Sequence, residues 1–297
     1  DGYDIALTQF SYLQFLNEHW QFIVGKLDLF ADGDANEFAT GRGRTQFNHW
    51  SINYPTGVLL VPASTIGAGL IYEPSHDMVF TTSVTSGTEC VRNDCFNDLD
   101  DSGYISATTA SFQFNLNGLP GGFTGSYIHF FDFDFTDLNE ITISPDEGLV
   151  GSDKDHSWLA SGSFWQYLSA EGVHEGPINV HDRLPDLQGW GFFGRFTFAD
   201  EDVNPWQASV SLGIGGRGLF QSRPDDLFGV GYFYNDLSTD RFLPDLGYED
   251  KGEGFEAFYN FAITKSVRFS TNLQYLEWIV PPNDDAVVVS GRLQIIL

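Results

Sequence analysis

Residues 206–216 read WQASVSLGIGG. In this stretch Trp206, Ala208, Val210, Leu212 and Ile214 are apolar, while Gln207, Ser209, Ser211, Gly213 and Gly215 are small or polar. A period of two marks a strand with one apolar face. Two architectures accommodate it. A soluble sandwich hides the apolar face between sheets and exposes the polar one. A transmembrane barrel turns the apolar face to lipid and the small, polar or charged face to a wet lumen.

The pattern recurs along the chain. In 267–275, Val267, Phe269, Leu273 and Tyr275 alternate with Arg268, Ser270, Asn272 and Gln274; in 286–297, Val287, Val289, Leu293, Ile295 and Leu297 oppose Ser290, Arg292 and Gln294. Thirteen strand runs are predicted, at 3–16, 20–30, 66–73, 78–86, 103–115, 122–135, 157–168, 189–199, 206–219, 227–237, 253–263, 267–278 and 286–297. No linker or fixed-period repeat divides them, so residues 1–297 read as a single all-β domain. The 28 Phe, 12 Tyr, 7 Trp and 32 Gly are a strand-and-turn vocabulary. Phe and Trp gather near the ends of 122–135 and 189–198, as the aromatic girdles of a membrane barrel require, and the run lengths suit tilted membrane-crossing strands.

Charge narrows the function classes. With 41 acidic and 14 basic residues, the net charge of −27 repels nucleic acid and anionic headgroups. No run approaches the ~20 apolar residues of a membrane-spanning helix. The N-terminal DGYDIALTQF lacks the basic and apolar regions of an export signal, so any such signal has been removed or lies upstream. Cys90 and Cys95, close together in the polar segment CVRNDC, are expected to form a local disulfide in an oxidising compartment, rather than a free pair.

Connection lengths argue for the barrel. Counting backward from a periplasmic C-terminus puts the short turns NEH, EPSHD, NGLPGG, QSRPDD and TKS on one side. The long connections 31–65, 87–102, 136–156 and 238–252 fall on the other, as outer-membrane barrels have them. The exception is 169–188, long but on the inner side. Thirteen strands also place Asp1 outside the cell, whereas a closed bacterial barrel has an even number. Either 46–54 is a further strand or an N-terminal portion with an odd number of strands is missing, and the second is the expectation.

These residues carry a resemblance. The run GWGFFGRFTFADEDVNPWQASVSLGIGGRGLFQSRPDDLFGVGYFYNDLS (189–238) resembles the carbohydrate-selective porins of Gram-negative outer membranes, the OprB-like family. So do GKLDLFADGDANEFATGRGRTQF (25–47), STIGAGLIY (64–72), FYNFAITKSVRFSTNLQY (258–275) and the closing AVVVSGRLQIIL. The resemblance implies a transmembrane antiparallel barrel of 16 strands, about 13 of them in this chain, with a long loop folded into the pore and sugars passing by diffusion. It also implies that about three strands precede Asp1. Two departures stand out: the chain ends in Leu297 where the family usually ends in an aromatic residue, and 169–188 is an unusual insertion.

Within the barrel reading, 31–65 is the natural constriction loop, because a loop folded into the lumen narrows the path. It contains Glu37, Arg42, Arg44, Asn48 and Trp50. Guanidinium groups donate forked hydrogen bonds to neighbouring sugar hydroxyls, carboxylates and amides accept them, and an aromatic face covers the apolar side of the ring. Arg195, Arg217, Arg268 and Arg292 fall on polar strand faces and are expected to line the pore, or to pair with loop carboxylates and pin the loop. Lys26 and Asp28 share a strand face and read either as pore-lining or as a local ion pair at the rim.

Other motifs are weaker. DGDANE, with Asp32 and Asp34, has alternate-oxygen spacing but lacks the sixth-position Gly and twelfth-position Glu of a calcium loop, so it reads first as a solvated acidic loop, with a calcium site the lesser alternative. The acidic NDLDD at 97–101 is a solvated run or a site cross-linked by divalent ions to surface glycolipid. No zinc spacing, nucleophile elbow or phosphate loop is present, so neither a metal nor a cofactor is expected, and no residue is assigned a catalytic role. The leading expectation is a passive channel for mono- or oligosaccharides, in contact with outer-membrane lipid and lipopolysaccharide, as a homotrimer or a monomer. Its rivals are a general or cation-preferring porin, a soluble carbohydrate-binding sandwich, and a hydrolase built on a barrel.

Overall fold

The computed structural model describes residues 7–29, 36–39, 46–91, 102–144, 148–171, 187–237, 249–277 and 285–295. Its strands are β1 (Phe10–Phe15), β2 (Trp20–Asp28), β3 (Ser64–Ser75), β4 (Met78–Ser86), β5 (Tyr104–Leu116), β6 (Leu119–Thr136), the short β7 (Thr142–Ser144) and β8 (Gly148–Val150), then β9 (Asp153–Glu171), β10 (Gln188–Ala199), β11 (Trp206–Arg217), β12 (Leu227–Leu237), β13 (Lys251–Ala262), β14 (Val267–Leu276) and β15 (Ala286–Ile295). All except β7 and β8, which pair with each other, belong to one 13-stranded sheet. Each strand of that sheet pairs antiparallel with the sheet's next strand along the chain, β6 meeting β9 past the β7–β8 pair.

All thirteen predicted runs become strands of this sheet. Boundaries differ where hairpins extend beyond the apolar pattern: β9 spans Asp153–Glu171 rather than 157–168, and β6 begins at Leu119. Among the described residues β1 begins only at Phe10, after residues 7–9, which lie outside the strand. The β7–β8 hairpin within 136–156 has no counterpart in the sequence reading. Residues 46–54 are not a strand, because Trp50–Asn53 form a single helical turn, α1, followed by a 3-10 turn at Thr56–Leu60.

Alternation sorts the side chains by face. On β11 Leu212 is 48% exposed while Ser211 is 1% exposed. On β10 Trp190, Phe192, Phe196 and Phe198 are exposed and Phe193, Arg195 and Thr197 are buried. The exposed row belongs against lipid, where apolar surface carries no penalty. On the same outward face β10 runs from Trp190 to Phe198 and its partner β9 from Leu168 to Trp158, so aromatic rings bracket the apolar band.

Two turns show why the hairpins close as they do. Asn117 and Gly118 both have positive φ (54° and 82°), the mirror-image turn whose twist suits two-residue hairpins, and Leu116 pairs with Leu119 across it. The β11–β12 turn is organised by buried Asp226, which accepts from Arg223, from the Tyr259 hydroxyl (2.8 Å) and from the Ala262 N–H (2.8 Å). Burial alone would raise the Asp226 pKa, but Arg223, Ala262 and Tyr259 together hold it below the usual carboxylate range.

Candidate functional site

A stretch of the β2–β3 connection lies against the inner face of β9–β15. Phe38 and Phe47 are its buried anchors. Their sockets are glycines: a Cβ at Gly191 would meet the Phe38 ring at 2.7 Å, one at Gly215 would meet Phe38 at 2.9 Å, and one at Gly229 would meet Phe47 at 2.9 Å. Only a missing side chain lets the rings seat on the backbone. Ile52, Trp165, Tyr167, Phe193, Phe233 and Phe258 close the cluster. Phe47 packs edge-on to Phe258 at 4.8 Å and tilted on Phe193 at 5.4 Å. The lumen side of these strands therefore carries an apolar core of its own.

Polar contacts fix the rest of the segment. Asn36 donates to Ser163 Oγ at 3.0 Å on β9. Arg195 on β10, 2% exposed, donates to the carbonyls of Ile52 and Ala39, the latter at 3.0 Å. Asn235 on β12 accepts from Thr56 Oγ1 and donates to Ser51 Oγ, both at 3.0 Å. Glu256 on β13, 0% exposed, accepts from the backbone N–H groups of Asn48 (2.7 Å) and His49 (2.8 Å). Asn48 donates to Ser290 Oγ at 3.2 Å and accepts from Arg292, both on β15. One segment touching β9 to β13 and also β15 requires a sheet that curves around it.

The segment then turns. His49 caps α1 through Nδ1, which accepts from the Ser51 N–H at 3.3 Å, and its ring stacks on Phe233 at 4.0 Å. Burial pushes its pKa down from 6.5 to about 4, so the ring is neutral at pH 7 and Nδ1 keeps its lone pair. In α1, Ser51, Ile52 and Asn53 are buried. Trp50 and Tyr54 are half-buried and stack on each other at 4.4 Å.

The sites expected from sequence separate into groups. Arg42, Arg44, Asp32, Asp34 and Cys95 lie outside the described residues, as do 97–101 and most of the 169–188 insertion. Cys90 is buried and disulfide-bonded. Glu37 accepts from the Tyr167 hydroxyl at 2.5 Å, and its carbonyl accepts from Gln46 at 2.8 Å. Arg195 is not a pore-lining cation, because the segment covers it and two carbonyls take its donors. The Asn48 side chain is likewise engaged with the wall at both ends of its amide.

Half-buried Arg292 sits beside Asn48. Arg217 and Arg268 reach the β11–β12 turn instead: Arg217 bonds Asp225 Oδ1 at 2.6 Å, and Arg268 donates to Asp225 O at 3.2 Å and Asn260 Oδ1 at 2.9 Å. Lys26 and Asp28 are half-buried near the end of β2. Lys26 donates to the carbonyl of buried Cys90.

Glu256 and Asn235 escaped the sequence reading. Their signal was present: in KGEGFEAFYNF, Glu256 stands in the inward row with Gly254, Phe258 and Asn260, a carboxylate aimed at the lumen from mid-strand.

Comparison with known proteins agrees with this architecture. The family model described as carbohydrate-selective porin, OprB family, matches residues 5–296. No curated protein sequence matches the chain. Among solved structures, the high-pH form of Pseudomonas putida OprB is similar with a TM-score of 0.71 at 19% identity, covering 97% of this chain and 72% of that one. The low-pH form gives 0.54 at 17% identity, covering 97% and 66%. Pseudomonas aeruginosa OccK11 (OpdR) gives 0.53 at 10% identity, covering 97% and 70%. The chain thus spans roughly two thirds to three quarters of these barrels, and the sandwich alternative falls with the fold.

Proposed function

The chain belongs to the carbohydrate-selective porin, OprB family, and is a sugar-selective channel of the Gram-negative outer membrane; on that premise we propose that residues 31–65 form its constriction, with Trp50 and Tyr54 as the aromatic face that meets the sugar. The observation that carries this reading is the two-sidedness of the segment. One side is fixed to the wall through Phe38, Phe47, Ile52, Arg195 and Glu256, and we place the stacked, half-buried Trp50 and Tyr54 on its other side. An indole over a phenol gives a flat apolar surface for the C–H face of a pyranose, while the rim of the ring is left to hydrogen-bonding groups.

Arg42 and Arg44 supply those groups. In sequence they fall between Ala39, whose carbonyl is held by Arg195, and Gln46, which donates to the Glu37 carbonyl. The inner face of β5 and β6 supports the reading. Thr109 and Ser126 hydroxyls lie 2.9 Å apart and Ser111 and Thr124 hydroxyls 3.1 Å apart. Such hydroxyls exchange hydrogen bonds with a polyol at little net cost, which suits diffusion of a neutral mono- or oligosaccharide. Outward, the apolar rows meet outer-membrane lipid and lipopolysaccharide. Family and fold are those of non-enzymatic channels.

The deciding measurement is single-channel conductance in planar bilayers with a panel of sugars. Sugar block of the ion current is expected in the wild type and is expected to weaken in Arg42→Ala and in Arg44→Ala. Unchanged block in both variants counts against the constriction assignment. The acidic composition favours a cation-preferring alternative, and a strong cation reversal potential without sugar block would select it.

A further inference from the structure

Glu256 is placed where no apolar socket could do its work. It is a fully buried carboxylate in the middle of β13, and burying an unpaired charge is costly. Four donors converge on it. Oε1 accepts from the Asn48 N–H and from Asn272 Nδ2 (2.5 Å); Oε2 accepts from the His49 N–H and from Gln274 Nε2 at 3.0 Å. Phe47 fixes depth on the wall by shape alone, and a ring in an apolar socket has little directional preference. Two consecutive backbone N–H groups on two oxygens of one carboxylate fix direction as well. The grip falls on the two residues immediately before α1, so it sets how that turn leaves the wall.

We propose that Glu256 is a positioning residue for the sugar path: by holding the Asn48 and His49 N–H groups it sets how far Trp50 and Tyr54 stand from the facing wall, and hence the aperture. This rests on reading the segment as the constriction. Asn48, held in turn by Ser290 and Arg292, braces the same point from β15. Glutamine is the informative substitution. Each carboxylate oxygen meets two donors, so whichever way a glutamine amide is turned, its NH2 faces two N–H groups and one backbone contact is lost. The side-chain volume is unchanged.

The test uses the whole chain in planar bilayers, with glucose and maltose as probes. Glu256→Gln is expected to raise single-channel conductance about twofold and to raise the half-blocking concentration of both sugars at least about threefold, while the heat-modifiable migration of the folded barrel stays as in wild type. A second variant, Glu256→Gln with Gln274→Glu, returns a carboxylate to the same wall pair without the grip on the segment, and is expected to leave both values altered. Should Glu256→Gln fail to assemble, Glu256→Asp is read in the same assay, with a smaller rise in both values expected because the charge is kept and the reach shortened. Wild-type conductance and block in whichever single variant assembles, or full recovery in the swapped pair, would overturn the proposal. Wild-type current that neither sugar blocks would overturn the sugar reading alone, because the conductance change reports segment position without sugar.

Discussion

At mid-height β5 and β6 point Thr109, Ser111, Thr124 and Ser126 into the barrel, whereas β10, β12 and β13 point Phe193, Arg195, Phe233, Glu256 and Phe258. Both walls face the same lumen. The first wall satisfies itself: its hydroxyls pair across neighbouring strands, and Thr109, Ser111 and Ser126 remain partly open to solvent while Thr124 is buried. The second wall would be costly if bare, since it combines large rings with a buried cation and a buried carboxylate. The segment is its missing partner. It brings Phe38 and Phe47 to the glycine sockets, carbonyls to Arg195 and N–H groups to Glu256. At this height the second wall is thereby specified to hold protein, while elsewhere Val58, Leu60 and Val61 of the segment also pack against the cluster of Ile105, Phe130, Leu159 and Ala199.

Removing wall groups should break this asymmetry, beginning with the largest effect. Arg195→Leu leaves the Ile52 and Ala39 carbonyls without their donor; at about 1.5–3 kcal/mol for each hydrogen bond to a charged group, the segment should detach. Its signature is a noisy channel of raised conductance and new protease cleavage within 46–61, in a barrel that still migrates as folded. Phe47→Ala empties one socket at a cost of about 3–5 kcal/mol and should give the same phenotype somewhat more weakly. Gly215→Val attacks from the wall side: its Cβ would meet Phe38 at 2.9 Å, and overpacking of about 1–3 kcal/mol should shift rather than release the segment. Conductance equal to wild type in all three would mean that the segment does not bound the pore.

Acidity probes the same contact without mutation. The His49 pKa is lowered in the folded protein, to about 4 from 6.5. Between those values the unfolded segment binds more protons than the folded one, so the stability that neutral His49 provides is fully present above pH 6.5 and is lost as pH falls toward 4. Protonation also removes the lone pair that caps α1. Current noise should rise over that window in the wild type and not in His49→Phe; a pH-independent wild-type channel would contradict the assignment. The smallest effect is expected on the hydroxyl wall, where Thr109→Val with Ser126→Ala should leave conductance unchanged and weaken sugar block by no more than about twofold.

Legibility in the sequence followed the same division. The thirteen sheet strands could be read because each alternates with a period of two, a local property of the chain. The outward rows could be read because lipid demands apolar side chains at every second position. The inward rows were read as one polar class, and there the reading blurred. Arg195 and Arg217 carry the same sequence signature, yet Arg195 pins the segment and Arg217 holds the β11–β12 turn. Glycines seen merely as small proved to be sockets for Phe38 and Phe47.

By itself, then, the sequence determined the membrane barrel, its strand order and the connection long enough to enter the lumen, because those depend on periodicity and length. Which wall that connection covers, and that Glu256 and Arg195 hold it, were decided only by tertiary structure. The reason is physical: residues 47 and 258, or 48 and 256, meet only when a curved sheet brings distant strands around one segment, and nothing in their local sequence records that meeting.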